Sequence, residues 1–461
     1  METTRVDEKI ENMDYSYFIN PLSSRRRPAL TRELTKLAYM APKEAISLAE
    51  GMPNELTFPF EKIEITMKDG SIMALKGSSL GSALQYIPTQ GYPPLVKTLK
   101  EFTYKVHQPP NWENSELLVV NGSQDGISKS IEMCIQEGEP VIVQNPLYAG
   151  IEIIISPYKS PLLAVDQDQY GMIPELLKQQ LENWKEKCLQ DETLKMPKIM
   201  YINPTGKVYY KKMQELDTYM LFSIGSNPTG TTMTLERKRE IYKLCCEYNI
   251  LILEDDPYFF MHFLDELTPS FLSMDVEGRV LRFDSFSKVL SSGMRVGWVT
   301  AAKPLIQGIE LHIQSSYLHS STLSQSIANS LLQLWGFDKL LEHLEEIAAF
   351  YKARRDVTIS AMEKYLTGLC DWTIPAGGMF VWIKVHGVGD VYEMLMNRGL
   401  KKLITFVPGH AFMADPTQAC SYIRASYSKT APKQIEKAMK LLGELIREEK
   451  LLLRRKLENC T

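Results

Sequence analysis

Ser285-Phe286-Ser287-Lys288, with Arg295 seven residues on, gathers two hydroxyls, a primary amine and a guanidinium into one short stretch. Hydroxyls and an arginine suit a phosphate, because the planar guanidinium donates to its oxygens in a fork. A lysine in that cationic, partly dry setting gives up its proton more readily and can form a Schiff base with a carbonyl. A lone loop lysine is ordinarily a solvated charge; these neighbours argue otherwise. The stretch follows the apolar run Val280–Phe283 and precedes Gly293-Met294-Arg295-Val296-Gly297-Trp298, which reads as strand, tight loop, strand. A phosphate beside a reactive amine points to Lys288 carrying pyridoxal phosphate, with other loops holding the rest of that cofactor.

Three loops offer themselves. Leu117–Val120 runs into Asn121-Gly122-Ser123-Gln124-Asp125-Gly126 and then a helix, whose free N–H groups and Ser123 hydroxyl make an anion site. An ordinary N-cap is the alternative, and the negative Asp125 should turn its side chain away from a phosphate. Tyr148, beyond Val141–Val143, is either a core or rim aromatic or a stacking surface for a flat heterocycle. Ile250–Leu253 delivers Glu254-Asp255-Asp256-Pro257-Tyr258. A metal is a fair rival at three acids, but the seven histidines are scattered without ligand spacing. For the cofactor, Asp255 would keep the pyridine nitrogen protonated and Tyr258 would reach the phenolic oxygen.

These loops must be carried by strands. Short apolar runs recur at Leu117–Val120, Val141–Val143, Ile151–Ile155, Ile199–Ile202, Ile250–Leu253, Val280–Phe283 and Gly297–Ala301. Helical patterns such as Ser128–Ile135 and Leu235–Tyr248 separate several of them. Such alternation predicts an α/β fold with a mainly parallel sheet covered on both faces, and ligands beyond the carboxyl ends of its strands. Further on, the spacing predicts strands over Met379–Val385 and Tyr422–Ser426 and a terminal helix over Pro432–Lys450. The expected domains are a polar N-terminal arm or mobile segment (1–45), a large domain (46–340) and a small α+β domain (341–461).

With 461 residues and 44% hydrophobic composition, the chain can bury a large core. A net charge of -4 gives no reason to expect nucleic acid. No apolar run approaches the ~18 residues of a membrane span. Seven cysteines, odd in number and without a C-x-x-C pair, read as reduced thiols. The first twenty residues carry Glu2, Asp7, Glu8, Glu11 and Asp14, unlike a transit peptide or secretory signal. The expected compartment is therefore the cytoplasm, with the mitochondrion open through a later start near Arg25–Arg32.

Beyond these residues, the chain resembles the class I/II aminotransferases of the aspartate-aminotransferase fold type, and among them the kynurenine/α-aminoadipate aminotransferases. The resemblance runs from about residue 15 to 448 through Leu84-Gln85-Tyr86, Asn227-Pro228-Thr229-Gly230, Glu254–Tyr258, Thr268–Asp275, Ser285–Lys288 with Ser291-Ser292-Gly293, and Tyr422-Ile423-Arg424-Ala425-Ser426. It implies fold type I of the pyridoxal-phosphate transferases: a mainly parallel seven-stranded sheet between helices, plus a smaller α+β domain. It implies that Lys288 is the Schiff-base lysine and acid/base, that Asp255 pairs with the pyridine nitrogen and that Tyr148 stacks on the ring. Asn227 and Tyr258 would hold the phenolic oxygen. Ser123, Gln124, Ser285, Ser287 and Arg295 would hold the phosphate, with Tyr86 reaching it from the second subunit of a homodimer. Arg424 would grip the substrate carboxylate, with Asn227 and Gly51 also at the substrate. The implied reaction moves an amino group from 2-aminoadipate, kynurenine or an aromatic amino acid to 2-oxoglutarate by a ping-pong mechanism.

Two departures stand out. Glu50-Gly51 replaces a pair of glycines, which puts the donor preference in question. Lys207–Gly225 separates Asn203-Pro204-Thr205-Gly206 from its near-copy at Asn227, and deleting those 19 residues restores the family spacing. Gly206-Lys207 can be encoded GGTAAG, and Phe222–Gly225 can be encoded TTTTCNATAGGN, resembling splice signals that keep the frame. We favour a retained intron over a genuine loop insertion; genomic sequence decides between them. Other readings are a pyridoxal-phosphate C–S lyase, told apart by ammonia and pyruvate released without an acceptor, and a paralogue inactivated by the insertion. A transcription regulator would need a longer N-terminal DNA-binding domain.

Overall fold

The computed structural model describes residues 13–40, 42, 44, 46, 48, 51–204, 226–230, 233–263, 269–375 and 377–458. Glu50 and the Lys207–Gly225 segment lie outside the described residues. The chain divides into two compact units. The first is Met1–Gln136, Phe271–Phe283 and Arg295–Leu331; the second is Glu137–Ser270, Asp284–Met294 and Leu332–Thr461.

Along the chain the strands are β1 (Lys62–Thr66), β2 (Ile72–Lys76), β3 (Ser115–Val120), β4 (Val141–Asn145), β5 (Leu162–Asp168), β6 (Gly171–Met172) and β7 (Ile199–Ile202). They continue with β8 (Leu251–Asp255), β9 (Val280–Ser285), β10 (Gly297–Ala302), β11 (Cys370–Trp372), β12 (Phe380–Val385), β13 (Val407–Pro408) and β14 (Tyr422–Ser426). The larger sheet is mixed and mostly parallel, with eight strands where seven were expected.

In the first unit β3 pairs antiparallel with β10, from Val120↔Gly297 to Ser115↔Ala302. Leu117–Val120 are fully buried, as expected of a strand covered on both faces. The helices Ser123–Cys134 and Lys303–Gln314 pack on this ladder. Among its described residues, the polar N-terminal stretch, expected as an arm or mobile segment, is fastened between Tyr15 and Arg32. Phe18 is fully buried, and the Asn20 amide donates to the Glu132 and Ile135 carbonyls at 2.7 and 2.8 Å.

In the second unit β5, β4, β7 and β8 are parallel neighbours, with Ile142 opposite Leu163 and Met200, and Met200 opposite Ile252. Every residue of β7 and β8 is buried. One expected strand fails: Ile151–Ile155 belongs to the helix Ala149–Ile155, and the strand is Leu162–Asp168. Ile151 and Ile155, four apart, are buried while Ile153 is 69% exposed, a helical pattern that outweighs β-branched composition. The connection leaving β4 must also cross over before a parallel neighbour can pair, and a helix serves that purpose. The two-residue β6 then adds the eighth strand, antiparallel to β5.

The second unit also holds the small antiparallel sheet β11-β12-β14-β13. Val381, Ile383, Ile423, Leu442 and Leu445 form its core against the helix Pro432–Glu458, which runs eight residues past the expected end. The described cysteines are free thiols, and no described helix is long and apolar enough to cross a membrane.

Candidate active site

In the second unit, strand register sets the site. Tyr201 stands opposite Leu253 and Ile202 opposite Glu254, so the residues that follow, Asn203 and Asp255, leave the sheet side by side. Asp255 is 3% exposed, and its carboxylate accepts from the Tyr201 phenol at 2.7 Å. Burial first, and the Asp255 charge second, push the Tyr201 phenol well above its ordinary range, so it stays protonated as a donor. The Asn203 amide donates to the Asp255 carbonyl at 2.6 Å, and its own backbone N–H donates to Gln144 at 2.6 Å. The Asn203 side-chain oxygen accepts from the Asn227 backbone N–H at 3.4 Å. Asn203 is therefore occupied as a brace.

Asn227 reaches the other way. Its side-chain oxygen accepts from an Arg424 guanidinium nitrogen at 3.0 Å, leaving the amide NH2 to donate elsewhere. The Arg424 guanidinium carbon lies 4.2 Å from the Phe380 ring centre and 4.6 Å from that of Phe412. Arg424 faces Trp382 across β12–β14, and Phe380, two residues along, shares that face of the sheet. Burial lowers the Arg424 pKa, the cost of keeping a cation between two rings. Its Nε is buried without a partner. A buried guanidinium with an unused donor fits a carboxylate.

Lys288 follows the end of β9 on a turn. Ser285 Oγ donates to Ser287 Oγ at 2.8 Å, while the Ser287 N–H donates to Ser285 Oγ at 3.0 Å. The Phe286 carbonyl accepts the N–H groups of Leu290 and Ser291, closing the turn. Lys288 is half-buried, its amine 6.0 Å from the Tyr258 ring centre. Burial, with the Asp255 charge next, raises the Tyr258 phenol, and the Arg424 and Tyr148 groups also act on it. Tyr148 caps the helix Ala149–Ile155, and Leu147 before it donates to the Phe412 carbonyl at 2.7 Å. The structure thus brings Asp255, Tyr258, Asn227, Arg424, Tyr148 and Lys288 into one neighbourhood of the second unit.

The remaining predicted residues belong to the first unit. Ser123 opens the helix Ser123–Cys134 directly after Gly122, whose φ of 81° is open to glycine at little cost. A Cβ on Gly122 would overlap the Arg295 guanidinium, which donates to the Asn121 carbonyl at 2.9 Å. Asp125 does turn back: its carboxylate accepts from the Asn121 N–H at 3.0 Å and from the Tyr317 hydroxyl. Gln124 follows Ser123 in the first helical turn. Tyr86 is 45% exposed, with the Tyr39 hydroxyl on its carbonyl at 3.2 Å and the His319 ring edge-on at 5.8 Å. Gly51 is exposed, with open space around it.

Tyr201, Phe380 and Phe412 were not singled out from sequence. For Tyr201 a signal existed: parallel strands ending in Tyr-Ile-Asn and Leu-Glu-Asp align their polar ends. Phe412 comes from a short helical turn, Gly409–Phe412, and had no such signal.

The residues present suit pyridoxal phosphate. A buried carboxylate at a strand end, a half-buried lysine amine, two linked serine hydroxyls and an arginine resting on a glycine are the donor and acceptor types it requires. The chain matches the family model described as aminotransferase class I and II over residues 44–442. It is similar to the mitochondrial kynurenine/alpha-aminoadipate aminotransferase of Mus musculus, 40% identical over 442 residues, covering 95% of this chain and 100% of that one. Among solved structures, Pyrococcus horikoshii kynurenine aminotransferase in complex with PMP, KYN and KYA is 28% identical, covers 95% of this chain and 98% of its own, and has a TM-score of 0.71. Aminotransferase Aro8 of Candida albicans shares the fold at a TM-score of 0.80 and 24% identity, covering 96% of this chain and 100% of its own. On these matches, together with the strand-end geometry, the chain belongs to the class I and II aminotransferase family.

Proposed function

We propose that this aminotransferase moves the amino group of 2-aminoadipate, kynurenine or an aromatic amino acid to 2-oxoglutarate by a ping-pong mechanism. The names of its relatives support the donor class. The observation that carries the reading is Arg424, a buried guanidinium between two phenyl rings with an unpaired Nε beside Asn227. When bound, pyridoxal phosphate supplies a carbonyl for the amine and a protonated ring that draws electrons from the substrate's α-carbon.

The chain's own residues do the rest. Arg424 binds the α-carboxylate in a fork and fixes which face of the α-carbon is presented. Lys288 would hold the cofactor through its amine, and that same amine, when free, would be the base that takes the α-proton and the acid that gives it back. Asp255, held by Tyr201, would keep the ring nitrogen protonated. Asn227, through its NH2, and Tyr258 would donate to the phenolic oxygen, and Tyr148 would cover the ring. Ser285, Ser287, Ser123, Gln124 and Arg295 receive the phosphate, and Tyr86 serves the partner subunit of a homodimer. Gly51 lines the substrate side. Both half-reactions use the same groups, so one product leaves before the second substrate enters.

The test is an absorbance spectrum of the purified protein before and after adding 2-aminoadipate. The expected result is a band at the visible edge that gives way to the amine form, and appearance of a 2-oxo acid. A protein that stays colourless with added pyridoxal phosphate would overturn the reading. Ammonia and pyruvate released without an acceptor would indicate a lyase instead.

A further inference from the structure

Asp125 is at first sight misplaced. It sits in the first turn of the helix whose N-terminus is proposed to receive a phosphate, where a second negative charge repels the anion. Its geometry offers a different account. One carboxylate oxygen accepts both the Asn121 N–H, at 3.0 Å, and the Tyr317 hydroxyl. On the far side of the same peptide unit's residue, the Asn121 carbonyl accepts from Arg295 at 2.9 Å. Asn121 is thus clamped through both its backbone groups, and Gly122 at φ 81° turns the chain from that clamp into Ser123.

Tyr317 is itself held. The N–H groups of Tyr317 and Leu318 both donate to the Ile313 carbonyl, at 3.1 and 3.0 Å, closing the end of the helix Lys303–Gln314. Leu318 adopts φ 67°, an uncommon conformation for a bulky side chain. Burial, then the Asp125 charge, raises the Tyr317 phenol, so it remains a donor.

We propose that the Tyr317–Asp125 pair is a positioning device: it fixes the Asn121–Ser123 turn so that the Ser123 and Gln124 N–H groups are aligned for the cofactor phosphate. This rests on the functional reading above. As a bare charge Asp125 opposes phosphate binding, whereas as a clamp it favours it, so the two roles predict opposite signs when the side chain is removed.

The experiment titrates the cofactor-free full-length chain with pyridoxal phosphate, following absorbance, for wild type, Tyr317→Phe, Asp125→Ala and Asp125→Asn. The phosphorus-31 resonance of each complex is recorded alongside. Tyr317→Phe and Asp125→Ala are expected to bind about tenfold more weakly and to shift the resonance, the scale of losing one hydrogen bond to a charged group. Asp125→Asn keeps an oxygen acceptor without the charge and is expected to bind as tightly as wild type or more so. Asp125→Ala binding as tightly as wild type, or Tyr317→Phe leaving both affinity and resonance unchanged, overturns the proposal. Should Asp125→Ala fail to fold, Tyr317→Phe and Asp125→Asn decide it. A wild-type chain that binds no pyridoxal phosphate removes the functional reading and this one together; unchanged variants of a binding wild type remove only this one.

Discussion

The Tyr201 phenol donates to the Asp255 carboxylate across 2.7 Å, with both side chains all but excluded from water. A buried carboxylate is costly unless hydrogen-bonded, so this contact stabilises the fold as well as orienting the acid. Tyr201→Phe should cost about 1.5–3 kcal/mol of stability, the range for a hydrogen bond to a charged group. Urea denaturation measures that loss. A slower kcat should accompany it, because Asp255 loses one of the groups fixing its plane.

Lys288 is half-buried, on a turn beyond the end of β9. Lys288→Ala should leave the chain folded, with a stability change of no more than about 3 kcal/mol. The same variant should show no visible-edge band with added pyridoxal phosphate and no turnover. A retained band would move the carbonyl chemistry to another amine.

Arg424→Lys keeps the charge but loses the fork and the flat face between Phe380 and Phe412. The kcat/KM for the amino acid should fall on the order of a hundredfold, most of it in KM. Steady-state kinetics with a donor series will show it. An unchanged KM would place the carboxylate elsewhere.

Burial lowers the His319 pKa below its ordinary 6.5, with the Ser320 carbonyl acting in the opposite direction. The unfolded chain then binds a proton that the folded chain resists. This contribution is fully present above pH 6.5 and is lost as the pH falls from there through the lower folded value. Melting temperatures should drop over that window, and His319→Gln should flatten the drop. The Tyr86 ring, edge-on to His319, would report the change in its fluorescence.

Much of this was legible because apolar runs and the polar residues ending them sit at one place along each strand. That Asp255, Tyr258, Ser285 and Lys288 fall at or just beyond strand ends could be read from that rule. Ile151–Ile155 could not, since five residues rich in isoleucine look alike as strand or helix, and only the i, i+4 burial separates them. Tyr317 and Asp125 lie 192 residues apart, and no local spacing announces a clamp closed by tertiary structure. The Phe380–Arg424–Phe412 sandwich needed the pairing of β12 with β14.

Asn227 gives its oxygen to Arg424, and in the function proposed above its NH2 would donate to the cofactor's phenolic oxygen. A side chain that touches the carboxylate-binding arginine on one side and the cofactor on the other would make substrate and cofactor effectors of each other. By thermodynamic reciprocity, whatever factor the cofactor adds to carboxylate affinity, the carboxylate returns to cofactor retention. Abundant amino acid would then shield the enzyme from losing its prosthetic group, and starvation would loosen it.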